Sequence, residues 1–275
     1  FSMERKMKKN IKLTTLAVLV GAFYACSSET TRTYSELGST NYPQQFYMEY
    51  VPCTYGENWS TENFNEKMLP EWQNLLVETN SPLVEAFGIT HENDKPEGVE
   101  EDGYWQLLWN SKEEAKSGWE TWESYDKTEE WAEVNADILV CGSQADTFSF
   151  DAYVRRDRDG LGTFDLSSFS SDYQQCSYNE GQGVDELIAV IDKFEDWLVS
   201  DENSLDAPYT YVVLAPDYET DELDLFWGNF HQSAELREAG NSNFLSSAPE
   251  IQDQFDKVLS CEAPVNYNSG EIPVT

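Results

Sequence analysis

The sequence contains one short motif twice, a cysteine followed two residues later by a tyrosine. The first copy is Cys53-Thr54-Tyr55-Gly56, and the second is Cys176-Ser177-Tyr178-Asn179-Glu180-Gly181. Each copy follows a segment with strand-like composition and precedes a segment whose apolar residues have helical spacing. Each copy is also followed by a second cysteine, Cys141 in the first case and Cys261 in the second.

The spacing between matching residues is nearly constant. Cys53 and Cys176 lie 123 residues apart. The other matching pairs have offsets of 118 to 125 residues, and they are Tyr55 and Tyr178, Cys141 and Cys261, Trp72 and Trp197, and Leu108-Trp109 and Phe226-Trp227. Because similar offsets accompany the same order of predicted elements, the sequence predicts an internal duplication.

Each copy is predicted to contain, in order, a strand, a helix, two strands, a helix and a strand. In the first copy the strand covers Phe46–Val51 and breaks at Pro52, and the helix runs from Ser60 or Thr61 to about Glu78. Pro70 predicts a kink or a late start in that helix. This order is ferredoxin-like, with an antiparallel sheet covered by helices on one face. The predicted fold class is therefore α+β, with two ferredoxin-like repeats.

Two such sheets can pack with their open faces together, and the chain then resembles the dimeric α+β barrel. The antibiotic-biosynthesis-monooxygenase-like domains belong to this architecture. The resemblance covers roughly residues 45–270 and rests on element order, length and duplication. It implies that one chain supplies both halves of the barrel, so we expect a monomer with an intrachain pseudo-dimer.

The N-terminal residues have the pattern of an export signal. From Met7 onwards, a basic segment precedes an apolar stretch of 12 residues, Leu13–Tyr24, which is too short to span a bilayer comfortably. The stretch ends at Ala25-Cys26-Ser27-Ser28, which resembles the bacterial lipoprotein signal and implies lipidation of Cys26. The alternative is an ordinary secretory signal that is cut near Ala25.

These features predict the domain organisation and the compartment. We expect a signal peptide over residues 1–26, a flexible tether over 27–44, a first α+β repeat over 45–158 and a second over 159–275. The predicted location is the cell envelope of a Gram-negative-type bacterium, anchored to a membrane through Cys26, or otherwise outside the cell as a secreted protein. The acidic turn Asp157-Arg158-Asp159-Gly160 is predicted to link the two repeats.

Four of the five cysteines remain after the signal, two in each repeat. Four cysteines allow three pairings, and the repeat favours one disulfide in each copy, Cys53 with Cys141 and Cys176 with Cys261. A metal site or a catalytic thiol is not expected, because the sequence has no Cys-x-x-Cys pair and export exposes thiols to oxidation.

The formal net charge of −35 excludes nucleic acid as a partner, because so acidic a chain is repelled by phosphates. The sequence has none of the phosphate-loop, nucleophile-elbow or zinc-protease motifs that would point to a cofactor or a known catalytic reaction. The expected partners are therefore the membrane and an unidentified small molecule or protein.

The sequence has two histidines. His91 is expected to be exposed in a polar loop. Trp227, Asn229 and His231 have the residue types that some cofactor-free monooxygenases of the barrel superfamily use together, so they are candidate catalytic residues. The alternative is that His231 starts a helix and either faces solvent or stacks on Trp227.

Several tryptophans are candidates for lining a ligand cavity between the two sheets, namely Trp105, Trp109, Trp119 and Trp227. The alternative is that they belong to the core between helices and sheets. Two functions remain open. The first is an exported, lipid-anchored, non-catalytic binding or interaction protein. The second is a cofactor-free, monooxygenase-like enzyme that acts on a small apolar molecule in the cavity between the sheets.

Overall fold

The computed structural model describes residues 44–154, 164–205 and 207–274. The predicted signal peptide, Cys26 and most of the tether lie outside the described residues, and so does the predicted linking turn. The first repeat contains the elements β1 Gln44–Tyr55, α1 Thr61–Asn63, α2 Leu69–Glu78, β2 Glu85–His91, β3 Gly103–Trp109, α3 Lys112–Glu123, α4 Asp126–Val134, β4 Leu139–Cys141 and β5 Phe148–Val154. The second repeat contains β6 Phe169–Tyr178, α5 Val184–Leu198, β7 Tyr209–Pro216, β8 Leu225–His231, α6 Ala234–Ser247, α7 Pro249–Val258, β9 Leu259–Cys261 and β10 Val265–Ile272.

Eight strands close into one antiparallel barrel. Around the barrel the order is β1, β5, β7, β8, β6, β10, β2 and β3, and β3 pairs with β1. Within each repeat the last strand lies beside the first, as in a ferredoxin-like sheet. The repeats join at two seams, β5 with β7 and β10 with β2. The fold is therefore α+β, with two ferredoxin-like repeats packed as an intrachain dimeric α+β barrel.

The pairing register gives the true correspondence between the repeats. Gly103 pairs with Cys53 and Leu225 pairs with Cys176, so the third strands match at an offset of 122. Trp227 is thus equivalent to Trp105, and the offset of 118 that matched it to Trp109 was wrong. His231 is the equivalent of Trp109.

The two Cys-x-Tyr motifs lie at the ends of β1 and β6. Strand β1 continues through Pro52, where the sequence predicted a break. Cys53 and Cys141 are direct cross-strand partners and form a disulfide, and Cys176 and Cys261 do the same in the second repeat. Two residues after Cys53 on β1, the Tyr55 backbone N–H donates a hydrogen bond to the Asp102 carboxylate. An equivalent hydrogen bond joins the second repeat's tyrosine to Asp224, so both strand ends are fixed in the same way.

The first helical region contains a π-helical turn over Phe64–Met68, immediately before α2. Pro70 lies in the first turn of α2. Because proline has no N–H to donate, the regular ladder is interrupted here, and the Leu69 N–H bonds to the Phe64 carbonyl instead. Pro70 predicted a kink or a late start, and α2 does begin late, at Leu69, after this π-helical turn.

Alternating side chains of the strands form separate cores on the two faces of the barrel wall. The outer face of each repeat packs against its own helices, with Trp72 and Trp105 in the first repeat and Phe194 and Trp227 in the second. The inner face fills the barrel with the residues Met48, Tyr50, Ile89, Tyr104, Leu108, Phe150, Ala152, Tyr173, Val212, Leu214, Leu223, Phe226 and Tyr267. Tyr50 and Tyr173 are equivalent residues, and their hydroxyls meet at 3.4 Å inside the barrel.

Candidate functional site

The interior of the barrel leaves almost no space for a ligand. The cavity that remains among its aromatic side chains has a volume of about 30 Å³, far below the roughly 300–1,000 Å³ of typical ligand pockets. A cavity between the two sheets was expected to hold a substrate. The side chains of the inner core occupy that space instead.

The three candidate catalytic residues lie on the other face of the sheet. Trp227, Asn229 and His231 alternate along β8, and the residues between them face the barrel interior. All three line a cavity of about 290 Å³ between the second repeat's sheet and its helices. The structure thus brings the three residues together, but outside the barrel.

Asn229 is held at the centre of a hydrogen-bond network. Its side-chain oxygen accepts from the Tyr209 hydroxyl at 2.8 Å and from the Trp227 indole N–H at 2.9 Å. Its amide nitrogen donates to Asp172 Oδ1 at 2.8 Å. These bonds fix the orientation of the amide, because they require its oxygen and nitrogen to point in opposite directions.

Asp172 lies beside Asn229 on the neighbouring strand β6 and is 2% exposed. Desolvation raises the pKa of its carboxyl to about 6, although the hydrogen bond from Asn229 and the charge of Arg237 oppose this shift. Its second oxygen, Oδ2, is buried and has no hydrogen-bond partner among the described residues. A buried carboxyl with a pKa near neutrality is a common feature of functional sites.

His231 is buried, and it packs against Tyr209 at a ring-centroid distance of 4.9 Å. The predictions that it faces solvent or stacks on Trp227 were therefore wrong. Burial, with a contribution from the charge of Arg237, lowers the pKa of the imidazole to about 4, so the ring is neutral at pH 7. Within the described part of the chain its Nε2 atom has no hydrogen-bond partner.

Arg237 brings a positive charge to the same region from helix α6. Its guanidinium donates to both carboxylate oxygens of Glu92, which follows strand β2 of the first repeat, and to the Ser170 hydroxyl. Arg237 is 4% exposed, so this ion pair fixes the helix of one repeat against the seam with the other.

Apolar and aromatic side chains form most of the wall of the 290 Å³ cavity. Phe194, Trp197, Phe244 and Phe255 come from helices α5, α6 and α7. Gly240 allows α6 to approach the sheet, since a Cβ atom there would lie 3.2 Å from the His231 ring. The cavity therefore combines an aromatic wall with a polar floor.

The equivalent position in the first repeat also has a cavity, of about 170 Å³, with a different lining. Three of the tryptophans predicted to line a cavity between the sheets, Trp105, Trp109 and Trp119, line this one, and Trp227 lines its counterpart. The location predicted for these four residues was therefore wrong, because all of them lie between sheet and helices.

Glu49 is the first repeat's equivalent of Asp172, at the same offset of 123 that separates the first cysteines. Its Oε2 atom accepts from the Trp109 indole at 2.9 Å and from the Trp119 indole at 2.7 Å. Desolvation raises the pKa of Glu49, and these hydrogen bonds oppose the shift. In contrast to Asp172, Glu49 accepts two short hydrogen bonds from indole N–H groups on a single oxygen.

Asp172, Tyr209 and Arg237 were not predicted from the sequence. The repeat offset of 123 links Asp172 to Glu49, and an acidic residue at the same point of the first strand in each repeat was the available signal. His91 was predicted to be exposed, but it ends strand β2 and packs against Tyr267 at 5.0 Å.

Two further observations bear on ligands and membranes. No group of three His, Cys, Asp or Glu side chains in residues 44–154, 164–205 and 207–274 could hold a metal ion. In those same ranges, each helix is too short or too polar to cross a bilayer.

No protein-family model and no curated protein matches this sequence. Among solved structures, the chain is similar to chlorite dismutase from Candidatus Nitrospira defluvii, at 6% identity and a TM-score of 0.50, over 83% of this chain and 92% of that one. A candidate monooxygenase from Fusobacterium nucleatum gives 9% identity and a TM-score of 0.49 over the same shares. One from Lactobacillus acidophilus gives 9% and 0.44, over 83% and 94%.

At these identities the similarity concerns the fold alone. The class that the fold defines is the dimeric α+β barrel, with both halves supplied by one chain.

Proposed function

We propose that this chain is an exported, lipid-anchored binding protein that holds a small molecule between the sheet and the helices of its second repeat. The observation that carries the proposal is a buried polar atom at the 290 Å³ cavity, His231 Nε2, which has no hydrogen-bond partner among the described residues. Buried polar atoms normally have hydrogen-bond partners, and a ligand would supply the missing one.

The chemistry of the cavity selects the class of ligand. Phe194, Trp197 and Phe244 favour a flat aromatic body. His231, whose neutral imidazole can present Nε2 as a donor or as an acceptor, favours a polar end that carries both a donor and an acceptor. The volume lies at the lower limit of typical ligand pockets, so the ligand is small. These features describe a nitrogen-containing heteroaromatic compound.

Benzimidazole is a suitable probe, because it combines a flat ring system with one N–H donor and one acceptor. We expect it to shift the indole N–H resonance of Trp227 in a ¹H–¹⁵N spectrum of the protein. The variant His231→Phe keeps an aromatic ring and removes Nε2, so it should weaken binding about tenfold. His91→Phe is the matched control and should bind normally, since His91 lies outside the cavity.

Binding that perturbs other tryptophans and leaves Trp227 unchanged would contradict this proposal. The same conclusion would follow if benzimidazole did not bind, or if the two histidine variants bound it equally well.

Export and anchoring are supported by the N-terminal pattern and by the two disulfides, which are typical of proteins outside the reducing cytosol. The expected location is the envelope of a Gram-negative-type bacterium, with the folded chain a monomer held at a membrane by lipidated Cys26. Mass spectrometry of the mature N-terminus tests this directly. If Cys26→Ser leaves the protein in the membrane fraction, the anchor is not at this residue.

The second candidate function is a cofactor-free, monooxygenase-like enzyme of the barrel type. It is favoured by the meeting of Trp227, Asn229 and His231 at one cavity, next to Asp172, whose pKa suits proton transfer near neutral pH. The two functions differ in the fate of the bound molecule. A binding protein returns benzimidazole unchanged after aerobic incubation, whereas an enzyme acting on it yields a product of different mass.

A further inference from the structure

The first repeat has its own cavity, and the chemistry of that cavity differs from that of the proposed site. We propose that it is a second binding site, specific for a neutral, single-ring aromatic compound that carries one hydrogen-bond acceptor. It lies between the sheet and the helices of the first repeat and has a volume of about 170 Å³. An apolar cavity of about 150 Å³ in another protein stays dry and binds benzene, so this size suits one aromatic ring.

Six tryptophans line the cavity, namely Trp72, Trp105, Trp109, Trp119, Trp122 and Trp131. Three of them already use their indole N–H groups. Trp109 and Trp119 donate to Glu49, and Trp131 donates to the Met68 carbonyl at 3.1 Å. These rings can therefore offer a ligand only their carbon surfaces, which favour an aromatic partner.

Trp105 provides the polar contact. Its Nε1 atom is buried and has no hydrogen-bond partner among the described residues. An indole N–H is only a donor, so a ligand must bring an acceptor to satisfy it. This atom determines one feature of the ligand, an oxygen or nitrogen acceptor attached to the ring.

The lining residues contain no titratable side chain apart from Cys141, which is in a disulfide. A charged ligand would be buried without a partner of opposite charge, which is unfavourable. The ligand is therefore neutral and meets no titrating group, since Glu49, whose pKa is raised by burial, bonds to the Trp109 and Trp119 indoles but does not line the cavity. The second repeat's cavity differs, because His231 and Asp256 are among its lining residues.

The geometry of the cavity is held by close backbone packing. A Cβ atom on Gly118 would lie 2.6 Å from the Trp109 ring, so helix α3 can approach the sheet only with glycine at this position. Val140, which also lines the cavity, is 48% exposed, so the cavity borders the protein surface there. The site is thus formed before the ligand arrives.

Acetophenone, ethylbenzene and benzylamine test the proposal on the intact chain, because they share a ring and differ in the attached group. Acetophenone carries an acceptor, ethylbenzene has none, and benzylamine is a cation at pH 7. We expect acetophenone to shift the Trp105 indole N–H resonance and to bind about three- to tenfold more tightly than ethylbenzene. Its affinity should be the same at pH 5.5 and pH 8, and benzylamine should bind most weakly.

The variant Trp105→Phe removes the donor and keeps an aromatic ring. In this variant acetophenone should lose its advantage over ethylbenzene, as measured by calorimetry. Trp59→Phe is the matched control, because Trp59 lines neither cavity, and it should keep the full advantage. If Trp105→Phe does not fold, the comparison of the three compounds on the natural sequence still decides the question.

Three results would overturn the proposal. The first is equal binding of acetophenone and ethylbenzene, which would show that Trp105 makes no hydrogen bond to the ligand. The second is tighter binding of benzylamine, which would make the site a cation-binding aromatic cage. The third is a response of Trp227 instead of Trp105, which would place the compound in the other cavity.

Discussion

The two repeats share a fold but differ in how each surrounds its buried carboxyl group. Glu49 and Asp172 occupy the same point of equivalent strands, and both are 2% exposed. In the first repeat, two indole N–H groups donate to Glu49. In the second, Asn229 donates to one oxygen of Asp172, and the other oxygen has no partner in the described part of the chain.

The difference follows from a few substitutions at matching positions. Trp109 in the first repeat corresponds to His231 in the second, by the pairing register. Trp119 corresponds to Asn241, if α3 and α6 are matched from their capping residues Ser111 and Ser233. The second repeat lacks these two indole donors, and one oxygen of its carboxyl has no partner among the described residues. The cavity under its helices has a volume of about 290 Å³, compared with about 170 Å³ in the first repeat. We infer that Glu49 is structural and that Asp172 is functional.

The largest change in the free energy of unfolding is expected at the disulfides, which are the same in both repeats. The two bridges join residues separated by 88 and 85 positions. The chain-entropy model gives about 4–5 kcal/mol for each loop, with almost no difference between them. Replacing Cys53 and Cys141 by serine, or Cys176 and Cys261, should therefore lower the free energy of unfolding by the same amount, as measured in urea.

The disulfide comparison has a simple internal control. The unchanged protein under reducing conditions should lose about the sum of the two single effects. If one pair of replacements is much more costly than the other, the repeats differ in their denatured ensembles or in their cooperativity, and not only at the buried carboxyls.

The second prediction concerns Glu49. The variant Glu49→Met keeps the size of the side chain but leaves the Trp109 and Trp119 indoles without an acceptor. Each buried orphan donor costs about 1–3 kcal/mol, so we expect the free energy of unfolding to fall by about 3 kcal/mol. Glu49→Gln is the control, because its amide oxygen can still accept, and it should cost less than about 1 kcal/mol. Equal costs for the two variants would refute the structural role.

The third prediction concerns Asp172, whose replacement should raise the stability of the protein instead of lowering it. The pKa of Asp172 is raised from 3.8 to about 6, so the folded state binds a proton that the unfolded state has released. Stability should therefore fall as the pH rises from about 4 to 6 and stay level above that. Asp172→Asn removes this loss, so the variant should be about 3 kcal/mol more stable than the natural protein at pH 8.

Asp102→Asn is the control for this pH dependence. The pKa of Asp102 is lowered because it accepts the Tyr55 N–H and pairs with Lys95, despite some desolvation. Its contribution is present above its unfolded pKa and is lost as the pH falls, so its removal should give no gain at pH 8. An Asp172→Asn variant that is less stable at pH 8 would show that the carboxylate is satisfied in the folded protein.

Much of the fold could be predicted from the sequence because duplication repeats every local signal. The cysteine offsets give the pairing of the disulfides, and the strand and helix order gives the ferredoxin-like topology. The offset between the equivalent strands β3 and β8 was harder to obtain. Matching tryptophans alone wrongly aligned Trp109 with Trp227, whose equivalent is Trp105. The capping residues Ser111 and Ser233, and the glycines Gly118 and Gly240, all give the correct offset of 122.

The site was less accessible to prediction, because it depends on which face of a strand each residue occupies. Trp227, Asn229 and His231 alternate along β8, but alternation cannot distinguish the barrel interior from the helix-covered face when both are buried. The tyrosines that fill the interior are distributed over strands β1, β3, β6 and β10. Their convergence depends on barrel closure, which no short stretch of sequence encodes.

The smallest change in the free energy of unfolding is expected at the centre of the barrel, where both repeats have a tyrosine at the same position. Tyr50 donates to Tyr173 at 3.4 Å, and Tyr173 donates to Gln106 at 3.4 Å. Both bonds are long and therefore weak, so Tyr50→Phe and Tyr173→Phe should each cost less than about 1 kcal/mol in urea unfolding. The double variant should show a small coupling energy, because the two hydroxyls share one contact. A cost of several kcal/mol for Tyr173→Phe alone would mean that the interior, like the helix side, has become asymmetric and that Tyr173 has a role that Tyr50 lacks.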